Sequence, residues 1–198
     1  MAALSSAAAS MVSDTAPVEE KMAKASVKDD SGEDSEDDDE EEDEAVKDVR
    51  KFASDNDAAA TVAHLKEVSK NSEHAAYVLV EALFSEGDGL VKQTKAKKAY
   101  LSKFAKGAEA QLLLLCSFET FLADTAPLLR KELPMFLKTV YEADVVEEEP
   151  ILEWYDKADS AKRFGVSAAD AAATRKAAAS FVEWLRDAED DDDDEEEE

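Results

Sequence analysis

Apolar residues recur at helical spacing through the middle of the chain. Val62, Leu65 and Val68 follow one another at intervals of three, behind the capping candidates Asn56 and Asp57. A second helix is predicted to begin near Ser72 and to end at Gly87–Gly89. Further helices are predicted over residues 91–104, 108–122, 128–141, 147–158 and 167–187.

The predicted helix over residues 108–122 is apolar on nearly every side. It contains the unbroken run Leu112–Leu115 and then Phe118 and Phe121. Such a helix is typical of the centre of a bundle. In the helix that follows, Pro134 must either kink the chain or open a new helix at its first position.

No segment alternates apolar and polar residues with period two, so we expect an all-α domain without a sheet. Short helices with short connections pack as antiparallel pairs, and stacked pairs form a solenoid. We place this domain at residues 55–188, between a disordered acidic segment, 1–54, and an acidic tail, 189–198. The expected buried residues are Leu113, Leu114, Phe118, Leu137 and Trp154.

The formal net charge of −26 lies almost entirely in the flanks. Residues 1–48 carry −13 and residues 187–198 carry −11, whereas residues 49–186 carry only −2. This distribution disfavours nucleic acid and anionic lipid and favours basic protein segments as partners. In the acidic segment, Ser31 and Ser35 each precede an acid by three residues, a pattern that suits an acid-directed kinase and is also common in unstructured tails.

Catalytic and metal chemistry have little support in the sequence. The single cysteine, Cys116, lies in the leucine run, and no Cys-x-x-Cys pair exists to hold zinc. His64 and His74 have no evident nucleophile beside them. The Ala/Ser-rich start soon meets Glu19 and Glu20, which argues against a transit peptide. We therefore expect a cytoplasmic protein that is not an enzyme, does not span a membrane and needs no cofactor or metal.

Two constellations interleave carboxylates with large apolar residues. The first spans residues 141–155 and the second spans residues 181–189, immediately before the acidic tail. Both contain an apolar-apolar-Glu-Trp-apolar pattern, 30 residues apart, at 151–155 and 181–185. Helical spacing predicts a buried stripe of Phe181, Trp184, Leu185 and Ala188 in the second, with Glu183 and Asp187 outside it.

In these two constellations the sequence resembles the two aromatic/acidic boxes of the W2 domain, over about residues 55–190. That domain is the carboxyl-terminal domain of eukaryotic translation initiation factor 5, of the epsilon subunit of exchange factor 2B and of the basic-leucine-zipper-and-W2 proteins. The full first box and the ending Trp-Leu-x-x-Ala-Glu resemble factor 5 most. The resemblance implies a HEAT-like solenoid of antiparallel helix pairs.

The resemblance also implies an adaptor in preinitiation complex assembly. Its boxes would bind lysine-rich segments of the initiation factor 2 beta subunit, with factor 3 subunit c, factor 1 and factor 4 gamma as further partners. The aromatic residues Tyr141, Trp154, Tyr155, Phe181 and Trp184 would mostly support the fold. The acidic candidates for partner binding are Glu142, Asp144, Glu147, Glu148, Glu149, Glu153, Glu183, Asp187 and Glu189.

One departure from factor 5 limits what can be transferred. Factor 5 begins with a GTPase-activating domain that contains an arginine finger and a Cys-x-x-Cys zinc ribbon, and this chain contains neither. It is a fragment, a truncated product or a free-standing W2 protein. We expect that it does not stimulate GTP hydrolysis by factor 2 in a purified assay.

Three alternatives stay open. The chain could correspond to the W2 domain of the exchange-factor epsilon subunit, to a competitive mimic that regulates translation, or to an acidic chaperone for basic proteins. A lysine-rich helix face is either a solvated face or a second docking surface for acidic protein or RNA, and the absence of interleaved aromatics disfavours RNA. This face consists of Lys92, Lys95, Lys98, Lys103 and Lys106.

Overall fold

The computed structural model of the protein describes residues 42–157 and 163–193. In these residues it contains eight α-helices and no strand, which confirms the predicted all-α class. A π-helical turn, Phe121–Thr125, and a 3-10 segment, Pro127–Glu132, connect α5 to α6. The α-helices are α1 (Glu44–Asp55), α2 (Ala58–Val68), α3 (Ser72–Leu83), α4 (Leu90–Phe104), α5 (Ala108–Thr120), α6 (Leu133–Glu142), α7 (Glu148–Asp156) and α8 (Ala168–Asp193).

The helices form two layers. The odd-numbered helices pack in the order α1, α3, α5, α7, and the even-numbered helices pack in the order α2, α4, α6, α8. Each odd-numbered helix is followed by an even-numbered partner, so the chain stacks consecutive helix pairs side by side. This arrangement confirms the predicted solenoid of helix pairs.

The domain begins earlier than the sequence suggested, so the boundary at residue 55 is wrong. Helix α1 belongs to the domain because it packs against α2 and α3 and buries Val46 and Val49. These two valines stand in a strongly acidic stretch, and their weak apolar signal was outweighed by the surrounding charge. The rest of the segment expected to be disordered, residues 1–41, lies outside the described residues, as do Ser31 and Ser35.

Polar contacts anchor α1 at its start. Asp43 caps the helix by accepting a hydrogen bond from the Ala45 amide at 2.8 Å, and its carboxylate lies 2.8 Å from Nε2 of His74 on α3. The hydrogen bond with His74 is the main reason why the pKa of Asp43 lies below its ordinary value. Arg50 donates a hydrogen bond to the Glu81 carbonyl at 2.8 Å. These contacts hold α1 on the first turn and the last turn of α3.

The expected core is confirmed. Leu113, Leu114, Phe118, Leu137 and Trp154 are all at most 2% exposed. The α5 leucine run occupies the middle of the odd-numbered layer, where α3 covers it on one side and α7 on the other. A helix covered on both sides needs apolar residues around most of its circumference, as the sequence pattern indicated.

A new helix begins beside Pro134, which is one of the two alternatives predicted, although it begins one residue earlier than expected. Pro134 is the second residue of α6, where its missing amide hydrogen costs no helical hydrogen bond. Ser167 precedes α8 and accepts a hydrogen bond from the Asp170 amide at 3.1 Å, as expected for a helix beginning there. Helix α8 continues through Asp193, so its expected end at Asp187 is wrong. Its last turns already belong to the acidic tail.

Candidate functional site

A buried ion pair lies beneath the first acidic box. Glu119 on α5 is fully buried and forms an ion pair with Arg175 on α8. The indole Nε1–H of Trp154 on α7 donates to the second oxygen of Glu119 at 2.8 Å. Arg175 also donates to the backbone carbonyl of Trp154 at 2.9 Å, and its guanidinium lies 4.9 Å from the centroid of the Trp154 ring.

This Glu119–Trp154–Arg175 cluster joins three helices through charge-assisted hydrogen bonds. A buried carboxylate is tolerated only when its oxygens receive donors, and here the indole and the guanidinium supply them. Because both donors come from different helices, the position of α7 is determined relative to α5 and to α8. The carboxylates on the outer face of α7 are therefore presented from a rigid support.

The outer face of α7 carries a shallow groove of about 500 Å³. The groove is rich in carboxylates and has one cationic residue, Lys157, which lies 2.6 Å from a Glu153 oxygen. At the start of the helix, the Glu147 amide donates to Oε1 of Gln111 on α5 at 2.8 Å, which holds that end in place. The groove is lined by Glu148, Glu149, Leu152, Glu153, Asp156 and Lys157.

The predicted acidic residues of the first box divide into two places. Glu147, Glu148, Glu149 and Glu153 lie on α7 or at its start. Glu142 lies at the end of α6, and Asp144 occupies the exposed turn after it. Asp144 has a left-handed backbone, with φ of 54°, a conformation that Asp tolerates better than most residues. The structure therefore places the first box on both sides of the α6–α7 turn.

The second box departs from the expected burial. Phe181 and Leu185 are buried, but Trp184 is 46% exposed and Ala188 is also exposed. The rotation of α8 is set by a stripe of small and apolar residues that face α6 and α7, and Trp184 lies at the edge of this stripe. The expectation that Trp184 is a core residue is therefore wrong. The buried stripe consists of Ala171, Thr174, Ala178, Phe181, Val182 and Leu185.

Aromatic rings and one lysine surround Trp184. The Phe181 ring centroid lies 5.5 Å from that of Trp184, and the Tyr141 ring meets it edge-on at 6.3 Å. Lys138, one turn before Glu142 on α6, places its Nζ 5.7 Å from the indole centroid. The same Nζ lies 3.6 Å from Glu142.

Helix α8, which carries the second box, contacts both helices that carry the first box. Arg186 donates two hydrogen bonds to the Asp156 carboxylate on α7, at 2.7 and 2.9 Å, and its guanidinium lies 5.7 Å from the Tyr155 ring centroid. On another side of α8, Trp184 contacts α6. Glu183 and Asp187 are exposed beside these contacts, and the side chain of Glu189 lies outside the described residues. Acidic residues of α6, α7 and α8 thus lie around the contacts that α8 makes with α6 and α7.

The predicted basic face lies along α4, with Lys106 two residues beyond the end of that helix. Lys92, Lys95, Lys98, Lys103 and Lys106 are all exposed. Lys92 lies 2.7 Å from Asp88, and this hydrogen bond raises the pKa of Lys92 above its ordinary value. A cleft of about 550 Å³ lies beside the end of α4, and Lys66 and Lys70 line it together with Lys106.

The described residues contain no group of three or more His, Cys, Asp and Glu side chains that could hold a metal ion. Each of the two histidines contacts a carboxylate of α1 or its cap: His64 lies 2.7 Å from Asp48, and His74 lies 2.8 Å from Asp43. Both contacts tie helices together. Among the described helices, none combines the length and apolar character that a membrane span requires.

Sequence reasoning missed five residues of this region. Asp156 could have been found, because it follows Glu148 and Glu149 at the spacing of two helical turns. Lys138 also has a local signal, because it stands four residues before Glu142, and the remaining three have none. Glu119 and Arg175 are 56 residues apart in the chain and meet only in the folded protein. The contacts of Lys138 with Trp184 and of Arg186 with Asp156 likewise depend on how α8 packs.

Comparison with known proteins agrees with this architecture. The family model W2: eIF4-gamma/eIF5/eIF2-epsilon matches residues 110–195. Eukaryotic translation initiation factor 5 of Zea mays is 37% identical over 111 residues, which are 56% of this chain and 23% of that protein. Probable eukaryotic translation initiation factor 5-2 of Arabidopsis thaliana is 31% identical over 196 residues, covering 96% of this chain and 43% of that protein. The chain thus spans less than half the length of these relatives.

A solved structure shares the fold. The C-terminal domain of translation initiation factor 5, determined at low pH, superposes with a TM-score of 0.62 at 23% identity. The match covers 78% of this chain and 98% of that chain. The superposition shows a shared fold, and the W2 match over residues 110–195 together with the relatives above identifies a W2 region similar to that of translation initiation factor 5.

Proposed function

We propose that this chain is a non-enzymatic adaptor of translation initiation that acts in the cytoplasm and binds lysine-rich segments of other initiation factors. The observation that carries the proposal is the carboxylate-lined groove on α7, held in place by the buried Glu119–Trp154–Arg175 cluster. A lysine-rich segment matches this groove in charge and needs no deep pocket.

The partners follow from the family resemblance. The lysine-rich segment of the factor 2 beta subunit is the first expected ligand, and factor 3 subunit c is the second. Factor 1 and factor 4 gamma are further candidates, and the lysine face of α4 is an alternative docking surface for an acidic protein. A competitive mimic would bind the same ligands through the same site. The adaptor and the mimic would therefore differ in their effect on translation and not in the residues that bind.

Weak individual contacts are sufficient for this function. An exposed ion pair contributes only ~0.2–1 kcal/mol, but several act together when one support positions them. Glu147, Glu149, Glu183 and Asp187 form no ion pair with another described residue. Their charge is therefore available to a partner. Complementary charge also speeds the encounter with a basic segment.

The test removes charge and keeps shape. In one variant, Glu147, Glu148, Glu149 and Glu183 become Gln and Asp187 becomes Asn. Isothermal titration with a lysine-rich peptide should show affinity reduced at least about fivefold, since five weak pairs of ~0.2 kcal/mol or more are removed. Circular dichroism should show unchanged helical content, because four of the five positions are exposed, where substitutions usually alter stability by less than ~0.5 kcal/mol, and the half-buried Glu148 keeps its shape as Gln.

A matched control removes the same number of charges elsewhere. The control acids are exposed and lie outside α6 to α8, so their neutralisation tests net charge alone. If the control weakens binding as much as the box variant does, the acidic boxes are not the docking surface. The control substitutions are Glu44→Gln, Asp55→Asn, Glu67→Gln, Glu86→Gln and Glu109→Gln.

Salt gives an independent readout. The Debye length falls from ~10 Å at 0.1 M salt to ~3 Å at 1 M, so binding by the wild-type chain should weaken steeply across this range. The box variant should show a shallower dependence, because fewer charges contribute. Equal salt dependence of the two proteins would contradict the proposed site.

A further inference from the structure

Trp184 is a large aromatic residue whose burial is incomplete. The residue is 46% exposed, whereas the other tryptophan is 1% exposed. Tyr141 and Phe181 contact the indole and restrict its movement. The described part of the protein thus presents a fixed aromatic ring at the surface, within the second acidic box.

A cation already contacts this ring. Lys138 Nζ lies 5.7 Å from the indole centroid and 3.6 Å from an oxygen of Glu142. The ammonium group is therefore shared by an aromatic ring and a carboxylate. These two groups are what a protein needs in order to bind a lysine side chain of a partner.

The other two cation–aromatic contacts of α7 and α8 are held more firmly. Arg175 lies over Trp154, and its side chain is only 13% exposed and paired with Glu119. Arg186 lies near Tyr155 and is fixed by two hydrogen bonds to Asp156. Both guanidiniums have short charged contacts that would be lost if they moved away.

Lys138 is held loosely by comparison. Its side chain is 43% exposed, and the 3.6 Å separation from Glu142 is longer than an ordinary N–H···O hydrogen bond. The lysine stem has four rotatable carbons, so the ammonium can move into solvent without any change in the backbone. Displacing it requires little more than the loss of one weak ion pair and one exposed cation–π contact.

We propose that Trp184 is a specificity-determining residue that binds a lysine ammonium of the partner by a cation–π contact, and that Lys138 occupies this place when no partner is bound. The inference rests on the proposed function and names a subsite within it. Glu142 then pairs with the incoming ammonium in place of Lys138. Asp187, three residues after Trp184 on α8, lies one helical turn along the same side.

The inference predicts opposite effects for the two residues. Trp184→Leu should weaken binding of a lysine-rich peptide about two- to fivefold, the size expected for a cation–π contact at an exposed site. Lys138→Gln should strengthen binding by a similar factor, because the internal competitor is gone. The removal of one positive charge near an acidic surface would also strengthen binding to some extent, so the two variants must be combined.

A double-mutant cycle separates these causes. A twelve-residue peptide of alternating lysine and glycine is titrated at 0.1 M salt into the wild-type chain, the two single variants and the double variant. In the Trp184→Leu background, Lys138→Gln should lose at least half of its effect on affinity. An undiminished effect in that background would overturn the inference, because Lys138 would then act by charge alone.

A second charge control and an optical readout complete the experiment. Lys157→Gln removes an equal charge beside Glu153 at the end of α7, and its effect on affinity should not depend on Trp184. Peptide addition should change the tryptophan fluorescence of the wild-type chain, and Trp184→Phe should abolish the change. Persistence of the change in that variant would also overturn the inference.

Failure of the proposed function is distinguishable from failure of this inference. If the wild-type chain does not bind the peptide at all, the proposed function falls and this inference falls with it. If the wild-type chain binds and the box variant does not, but the Trp184–Lys138 cycle shows no coupling, only this inference is overturned. A peptide with acetylated lysines should not bind in either case, because acetylation removes the ammonium charge.

Discussion

Trp154 and Trp184 occupy the same place in two similar five-residue patterns, 30 residues apart, yet the fold treats them differently. Trp154 is 1% exposed and donates a hydrogen bond to a buried carboxylate. Trp184 is 46% exposed and contacts a solvent-exposed lysine. The tryptophan of the first acidic box is therefore part of a buried polar cluster (the closed box), whereas the tryptophan of the second box is accessible to solvent (the open box).

The difference comes from the position of each helix in the two layers. Helix α7 packs against α5 on one side and α8 on the other, so the face that carries Trp154 is covered. Helix α8 packs mainly on α6 and α7, and no described helix follows to cover its flank. The same local pattern thus produces a core residue in one helix and a binding-surface residue in the other.

The largest effect on stability is expected at the buried Glu119–Trp154–Arg175 cluster. Arg175→Met leaves Glu119 buried without its cationic partner, which should lower the free energy of unfolding by about 3–5 kcal/mol. Chemical denaturation followed by circular dichroism measures this change. The double variant Glu119→Leu/Arg175→Met should recover part of the loss, because apolar groups of similar volume can replace a buried ion pair but leave the Trp154 indole without its acceptor. A double variant as unstable as the single one would show that the ion pair itself stabilises the fold.

A smaller effect distinguishes the two tryptophans directly. Trp154→Phe removes the indole donor to Glu119 and leaves a small cavity, so we expect a loss of about 1–3 kcal/mol. Trp184→Phe should change stability by less than about 0.5 kcal/mol, since its ring is half exposed. Thermal and urea unfolding of both variants provide the measurement. Equal destabilisation would mean that Trp184 is as much a core residue as Trp154.

The smallest perturbation leaves stability untouched and reports exposure alone. Each tryptophan can be observed in the variant that lacks the other, because the chain contains only two. Acrylamide, a neutral quencher, should quench the fluorescence of Trp184 in Trp154→Phe much more than that of Trp154 in Trp184→Phe. Similar quenching of the two residues would remove the contrast between an open and a closed box.

The sequence was sufficient for most helices because their apolar periodicity is long and their caps are local. Asp57 accepts a hydrogen bond from the Ala60 amide at 2.9 Å, as a capping residue should. Helix α1 escaped notice because only two valines mark its buried side amid many acids. Periodicity also placed Trp184 within an apolar stripe but could not say where the stripe ends, because a change of one helical position turns a side chain by about 100°.

The sequence by itself determined the helical class, the central position of α5, the core residues tested above and the acidic character of both boxes, because these depend on residue type and local spacing. Only the tertiary structure decided that Glu119, Trp154 and Arg175 form one buried cluster, and that Trp184 is open while Trp154 is closed. Such outcomes depend on contacts between residues 20 to 60 positions apart. Those contacts are set by which helix lies on each side of another, a property that no local pattern contains.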